Sequence, residues 1–393
     1  MLTYLLYKSL DKKCKNKIGI NMIKKILLTS CILSILSANA YSGEWHFEAF
    51  GKAKTLYGYS DLDSDSSRSD SHNHLPTRIS ASLIAQYHFA EDYQLGAYID
   101  LSYGIDQQIK DYNHGNWGEE VYGIFDSPYG KLIFGQSYNA AYQLGVSAPD
   151  IGVLGVNQSD VVNFVANPNW QRNSLGTGYR TLNSTDINTD GTAPKITYIS
   201  PEFNDGTMFG FSYVPNTYSR DGLVNRHASY KYKSGYIASV YHSGELADLS
   251  LSGSLGVAYF DDNDTEISAG FNVYRKGWTL GGGVRRTWVN HYDESINKPT
   301  RDAIEYFDGY RDAWAYNVGL SYEIGPLKTA LTYFYSKADG QDYEDEIIQL
   351  SGLYQYNRYI DFYTAVAHAR FEGQTSNDSN KGYAYIAGVG VKF

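Results

Sequence analysis

GYAYIAGVGVKF, Gly382 to Phe393, is the stretch on which the reading of the fold turns. Tyr383, Tyr385, Ala387, Val389, Val391 and Phe393 take every second position, and mostly small residues (Ala384, Gly388 and Gly390 among them) lie between. Side chains on a strand alternate between two faces, so one face carries rings and aliphatics and the other is nearly bare. The pattern stops on an aromatic ring, with no polar tail. A last strand needs no tail when its edge is already paired, and the partner expected here is the first strand.

The same period recurs along the chain. In 77–89 the odd positions are Thr77, Ile79, Ala81, Leu83, Ala85, Tyr87 and Phe89, against Arg78, Ser80, Ser82, Ile84, Gln86 and His88. Residues 95–103 set Leu95, Ala97, Ile99, Leu101 and Tyr103 against Tyr98, Asp100 and Ser102. Residues 314–322 and 327–335 repeat the alternation around Gly325-Pro326. Tight connections (Ala90 to Tyr93, Ser234-Gly235, Lys276-Gly277, Gly325-Pro326, Asn357-Arg358) alternate with long polar ones (60–76, 105–117, 137–194, 289–312, 370–382). That asymmetry is an up-and-down meander with one short-looped end.

Most candidate strands run nine to twelve residues, against about five or six in soluble sheets and about nine to eleven for a tilted membrane crossing. Trp45, Tyr57, Phe89, Tyr103, Tyr335, Tyr383 and Phe393 stand near strand ends, as in the aromatic girdles of a membrane barrel. In hydrocarbon every backbone group must pair within the protein, so the sheet must close. The composition agrees, with 38 Tyr, 16 Phe and 38 Gly against nine Pro and three Met. The fold class expected is therefore all-β, a transmembrane antiparallel β-barrel. Seventeen strand candidates emerge, and a bacterial single-chain barrel takes an even number. Treating Ser234-Gly235 and Lys276-Gly277 as turns on the same rim leaves room for two strands between them. The expectation is thus 16 strands, with 226–233 a strand and 249–260 a loop or strand extension.

No run of eighteen apolar residues occurs, so no helical membrane span is expected. Met22, Lys24 and Lys25, the apolar stretch from Ile26, and Ala38-Asn39-Ala40 read as a signal peptide starting at Met22 and cut after Ala40. This divides the chain into residues 1–40, an extension plus signal, and a barrel over 41–393. Leu28-Thr29-Ser30-Cys31 looks like a lipoprotein site, but the apolar stretch continues past the cysteine. Removing 1–40 takes away Cys14 and Cys31, seven of 33 basic residues and one of 43 acidic ones, leaving 26 against 42 and a net charge near −16 over 353 residues. An exported chain so acidic is not a nucleic-acid binder.

No catalytic motif or phosphate-cradling loop appears, and no cofactor is expected. Asp61, Asp63, Asp65 and Asp70 open like a calcium loop, but Ser66 and His72 replace its glycine and glutamate. They read as a solvated loop, as does the run Asp261, Asp262, Asp264; no metal site is expected. Residues 137–194 are too long for a hairpin loop. They hold Tyr138, Tyr142, Val153, Leu154, Val161, Val162 and Phe164, enough to pack against a wall. A loop folded into the barrel lumen is the reading preferred over a surface flap.

Phe50-Gly51-Lys52, Thr77-Arg78-Ile79, Tyr129-Gly130-Lys131-Leu132-Ile133-Phe134-Gly135-Gln136, Tyr198-Ile199-Ser200-Pro201-Glu202-Phe203 and the terminal Phe393, taken in order, resemble the Gram-negative general porin family. The resemblance implies a homotrimer of 16-stranded barrels in the outer-membrane lipid, passing small hydrophilic solutes and ions. It also implies a third external loop folded inward, whose acids face a basic wall and set a transverse field. Lys52 and Arg78 match the first two basic wall positions, and Asp150 in Pro149-Asp150-Ile151-Gly152 matches an acid of the loop tip. Gln136 stands where the family commonly has arginine. Lys195 matches the further basic position, with Arg180 a competitor. Phe393 matches the membrane-interface C-terminus. With one wall arginine missing and an acidic chain, weak cation preference is expected. The rival readings are a substrate-selective channel or loop-displaying adhesin, and, from another class, a secreted carbohydrate-binding or hydrolytic β-sandwich.

Overall fold

Strands that are apolar on one phase must hide or oil that phase, and here they do so by closing a sheet. The computed structural model describes residues 44–62, 72–105, 120–157, 161–173, 176–179, 181–203, 205–216, 234–261, 264–288, 312–340, 342–373 and 379–393. Residues Trp45–Phe393 cluster as one unit. Sixteen long antiparallel strands follow chain order: β1 (Glu44–Leu62), β2 (Thr77–Ala90), β3 (Tyr93–Ile105), β4 (Glu120–Ser127), β5 (Gly130–Gln136), β6 (Pro194–Ile199), β7 (Thr207–Val214) and β8 (Gly235–Leu246). They continue as β9 (Leu249–Phe260), β10 (Asp264–Arg275), β11 (Trp278–Trp288), β12 (Ala313–Ile324), β13 (Leu327–Ala338), β14 (Glu344–Gln355), β15 (Ile360–Glu372) and β16 (Asn380–Lys392). A two-residue strand, Asn73–His74, pairs with β1 ahead of β2.

β16 pairs back onto β1, from Lys52 opposite Lys392 to Leu62 opposite Gly382. Beyond that ladder Gly51 and Phe393 exchange both backbone hydrogen bonds, at 2.7 and 3.0 Å. The Phe393 ring lies over Gly51, where a Cβ would fall 2.4 Å from it. The barrel is closed, and the last residue is part of the seam.

The apolar phase faces out. Ile79, Phe89, Leu95, Leu320, Leu331, Tyr383 and Val391 are exposed, while Ser82, Asn317, Thr332, Ser336 and Ala384 on the other phase are buried. So much exposed apolar surface belongs against lipid rather than water. A charge at the middle of such a band costs about 2–4 kcal/mol. The ion pairs of Arg370 with Glu344, Glu346 and Glu372, at 3.0, 2.9 and 3.3 Å, lie instead at strand ends, next to the long connections.

The strand count of the sequence reading stands, but its bookkeeping is corrected. Residues 249–260 are a full strand, β9, in register with β8 from Leu249 opposite Leu246 to Phe260 opposite Gly235. Ser234-Gly235 is not a rim turn: Gly235 opens β8, opposite Val214. The turn is Ala247-Asp248, with Ala247 at φ 56°, a conformation alanine rarely takes. The candidate strand 226–233 lies outside the described residues, as do the signal segment, Met22 and Arg180. Lys276-Gly277 is the expected turn, with φ of 47° and 87°.

Between β5 and β6 the chain forms a one-turn helix, α1 (Ala140–Gln143), capped by Asn139, whose side chain accepts from Tyr142 N. A 3-10 turn follows at Val161–Asn163. Val153, Leu154, Val162, Phe164 and Leu182 of this segment join one apolar cluster with Leu56, Phe334, Ile347, Ala365, Ala367, Phe371 and Ile386. Ala141 and Ile187 join a second cluster with Ile237, Ala258 and Phe260.

Candidate functional site

The polar phase of the wall carries the charges. Lys52 and Lys54 share one face of β1, two residues apart, and their ammonium groups lie 5.8 and 5.6 Å from the Tyr363 ring centre. Lys52 stands opposite Lys392 across the seam. Lys392 pairs with the buried Asp361 at 2.6 Å, and Tyr363 donates to that carboxylate at 3.2 Å. Lys54 donates to the carbonyl of Val153 in the 137–194 segment. Arg78 on β2 donates from Nε to Ser102 Oγ at 3.1 Å. The predicted basic residues Lys52 and Arg78 are therefore on the polar phase of neighbouring strands. Asp150 is exposed, and its Oδ1 accepts from Gly152 N at 2.6 Å.

Two of the expected wall residues are enclosed. The Lys195 side chain is wholly enclosed, paired with Asp190 at 3.0 Å and donating to the carbonyls of Ser137 and Gly191. An ammonium with no exposed surface cannot meet a passing solute. Gln136 is buried too, and sits in register with Val121 and Pro194, two residues on from the exposed Phe134. Gly135, at φ 131°, stands between it and Phe134 and breaks the simple alternation there.

The 137–194 segment is tied to wall side chains at several points. Val146 N donates to Ser254 Oγ on β9 at 2.8 Å, Ala148 N to Asn317 Oδ1 on β12 at 3.0 Å, and Leu182 N to Ser336 Oγ on β13 at 2.8 Å. Gln349 on β14 donates to the carbonyls of Leu154 and Gly155, at 3.3 and 3.1 Å. Buried Asp345 accepts from Asn167 and Asn169, at 3.1 and 2.8 Å, and from Thr181. Arg285 on β11 pairs with Glu266 on β10 at 2.7 Å and donates to Asp186 O and Asn188 Oδ1, at 2.7 and 2.8 Å. Burial pushes the Asp186 carboxyl above the usual carboxylate range, against the pull of Ser184, Arg285 and Asn157.

The family profile for Gram-negative porins matches residues 29–374. The chain belongs to the Gram-negative porin family. Solved structures agree on the fold. OmpF of Salmonella typhi, in a complex with daunomycin, is 13% identical with a TM-score of 0.59, covering 88% of this chain and 97% of that one. An anion-selective porin from Comamonas acidovorans is 14% identical with a TM-score of 0.56, covering 89% and 100%. The outer-membrane channel DcaP of Acinetobacter baumannii is 14% identical with a TM-score of 0.57, covering 89% and 97%. Comparison with curated protein sequences gives no match. The porin is thus an outer-membrane channel for passive diffusion of solutes.

The sequence reading passed over other charges on this porin's polar phase. Asp100 on β3 stands opposite Glu120 on β4, and Tyr98 opposite Tyr122. Asp100 had been visible as one of three polar members of the 95–103 alternation. Glu266, Arg285 and Asp345 gave no local signal, because each meets a partner far away in sequence. Among the described residues no group of acids, histidines or cysteines could hold a metal ion. Asp63, Asp65 and Asp70 of the calcium-like run lie outside them.

Proposed function

We propose that the porin is a homotrimeric general pore whose conduit is narrowed by the 137–194 segment. Support comes from the way opposite parts of the wall reach the same segment: Lys54 on β1 bonds Val153 O, while Ser254 on β9 accepts from Val146 N. A segment held from several sides across a barrel narrows what passes through it, and charges along a narrow aqueous path sort solutes by size and sign. Lys52, Lys54 and Arg78 form the basic stretch of that path, and Asp150 stands exposed on the segment. Residues 1–40, on this reading, are removed on export.

No covalent step is part of the activity; solutes move down their own gradients. Exposed outward residues on β1 to β4, such as Tyr57, Ile79, Phe89 and Leu95, offer apolar surface to lipid or to a neighbouring subunit. Purified porin should give stepwise conductance in planar bilayers, a smooth size cutoff for neutral sugars in liposome swelling, and an unheated gel band at three times the monomer mass. A sharp preference for one sugar would show a substrate-selective channel, and absence of conductance would reject the pore.

A further inference from the structure

The segment does not treat all of the wall alike. Past its root, where Tyr138 N donates to Glu120 on β4, its apolar residues and its backbone bonds engage β1, β7 to β9 and β11 to β16. In those sectors the inward positions are closed off: Ala313, Ala315, Phe334, Ala367, Phe371 and Ile386 are all buried. β4 is different, since every one of its eight residues is partly exposed. The inward positions of β2 and β3 are partly exposed as well, apart from Ser82 and Ser102. With the segment inside the barrel, the sector left to water is the inner face of β2, β3 and β4.

Apart from Arg78 at one end, held to Ser102, that sector is acidic and aromatic. Asp100 and Glu120 are cross-strand partners, as are Tyr98 and Tyr122, whose ring centres lie 4.8 Å apart at a tilt of 31°. Ser82 and Tyr98 donate to Asp100 Oδ2, at 3.1 and 3.3 Å. Asp100 Oδ1 is enclosed and takes no hydrogen bond from the described residues. Tyr138 N donates to Glu120 Oε1 at 3.1 Å. Lys195 lies within electrostatic reach of Glu120, but its ion pair is with Asp190. The other wall cations are partly engaged too, Lys392 by Asp361 and Lys54 by a carbonyl. Two adjacent carboxylates beside two neighbouring phenol rings make a path that holds cations by charge and organic cations also by their ring faces.

We infer that the conduit runs along β2 to β4, and that Asp100 and Glu120, with Tyr98 and Tyr122, are its specificity-determining residues, favouring small ammonium- or guanidinium-bearing solutes. The inference rests on the pore reading above, so its test carries a readout for each. In planar bilayers under a potassium chloride gradient, Asp100→Asn with Glu120→Gln should lower the cation-to-anion permeability ratio about threefold or more, from unit charges about 7 Å from the path in a watery pore. Tyr98→Ala with Tyr122→Ala should lower the permeability of tetramethylammonium relative to potassium about two- to fivefold. Swelling rates with a neutral sugar should stay within about twofold for Asp100→Asn with Glu120→Gln, which change charge and not the width of the path.

Normal conductance with an unchanged permeability ratio would overturn the inference and leave the pore standing. Loss of both conductance and sugar swelling in the unaltered protein would remove the pore itself. A second measurement does not depend on how those variants fold. Residues 44–393 contain no cysteine, so Ile84→Cys gives one thiol on the inward phase of β2, opposite Tyr98 and away from Arg78. In the open channel a cationic methanethiosulfonate should react with it about threefold or more faster than an anionic one of equal size. Equal rates would overturn the inference.

Discussion

Replacing Arg285 by alanine tests how the long segment is held. Arg285 is fully buried. Its guanidinium bonds Glu266 Oε2 from Nε and Nη2, at 3.0 and 2.7 Å, and reaches Asp186 O, Asn188 Oδ1 and Thr189 Oγ1, at 2.7, 2.8 and 2.7 Å. Removing one partner of a buried ion pair costs about 3–5 kcal/mol, because the other charge stays desolvated. The strands cannot relieve that cost, since β10 and β11 are paired along eleven positions. The segment can. If residues 186–189 lift away, water reaches Glu266 and the penalty is relieved. The loss should therefore appear as a detached population raised about a hundredfold, taking about 3 kcal/mol at roughly 1.4 kcal/mol per decade. A neutral thiol reagent measures this. Ile187 is buried, so Ile187→Cys should label about a hundredfold faster in the Arg285→Ala background, with unheated gel mobility unchanged. Arg285→Leu combined with Glu266→Leu should restore most of the protection, since both charges are gone. Equal labelling rates with and without Arg285 would refute the idea that this pair anchors the segment.

Lys195→Met leaves Asp190 enclosed and unpaired, and should lower stability by about 3–5 kcal/mol in denaturant titration, while Lys195→Met with Asp190→Leu recovers most of it. The reversal potential should be the same in both, as neither group reaches the conduit; a shift in Lys195→Met alone would restore it to the pore. Gly51→Val puts a branched side chain where the Phe393 ring lies, 2.4 Å from a Cβ at this position. It should slow the appearance of heat-modifiable barrel several-fold, and assembly at the unaltered rate would count against the seam. The Asp186 carboxyl is raised by burial, so the folded state holds a proton that the unfolded state has released. Its contribution is fully present below the ordinary carboxylate value and fades as pH rises through the raised one. Labelling of Ile187→Cys should accordingly slow as pH falls across that window, after correction for thiolate ionisation. Asp186→Asn should flatten the dependence, and an undiminished slope in that variant would reject the assignment.

The strands were legible because a wall between oil and water writes its period into every residue. Closure was legible from the alternation of 383–393, because a strand with an oily face needs both edges paired within the protein. The turn between β8 and β9 was not. Ala247-Asp248 holds neither glycine nor proline, and its positive φ falls on an alanine, so Ser234-Gly235 took its place in the reading. One misplaced rim turn then forced a real strand, 249–260, out of the count. Among site residues, Lys52 and Arg78 could be placed because strand phase alone decides which way they point. Lys195 has a similar address, yet its environment is decided by Asp190 and by carbonyls of the long segment. The same holds for Arg285, Glu266 and Asp345. Their partners are fixed by how 137–194 folds back on the wall, and no periodicity encodes that.

One feature of the alternation does encode the course of the water. In β12 to β16 the inner phase carries Ala313, Ala315, Phe334, Ala365, Phe371 and Ile386, interleaved with buried Asn317, Thr332, Ser336, Asp345, Gln349 and Ser351, while Val318, Leu320, Leu331, Leu350 and Val366 face out. A strand apolar on both faces must be covered on both. Lipid covers one face here, and the side chains clustered with Val153, Leu154, Val162 and Phe164 show what covers the other. In β2 and β3 the second phase is, apart from Ile84, Arg78, Ser80, Ser82, Gln86, Tyr98, Asp100 and Ser102. Nothing apolar is needed over such a face, and burying it would strand hydroxyls and charges without partners. Apolar inner positions thus mark where the folded segment packs, and the polar ones among them exchange hydrogen bonds with it. The covered wall keeps charges too, but only partnered ones: Arg285 pairs with Glu266, and Asp345 accepts from Asn167, Asn169 and Thr181, because a buried charge is tolerated only where it is paired or hydrogen-bonded.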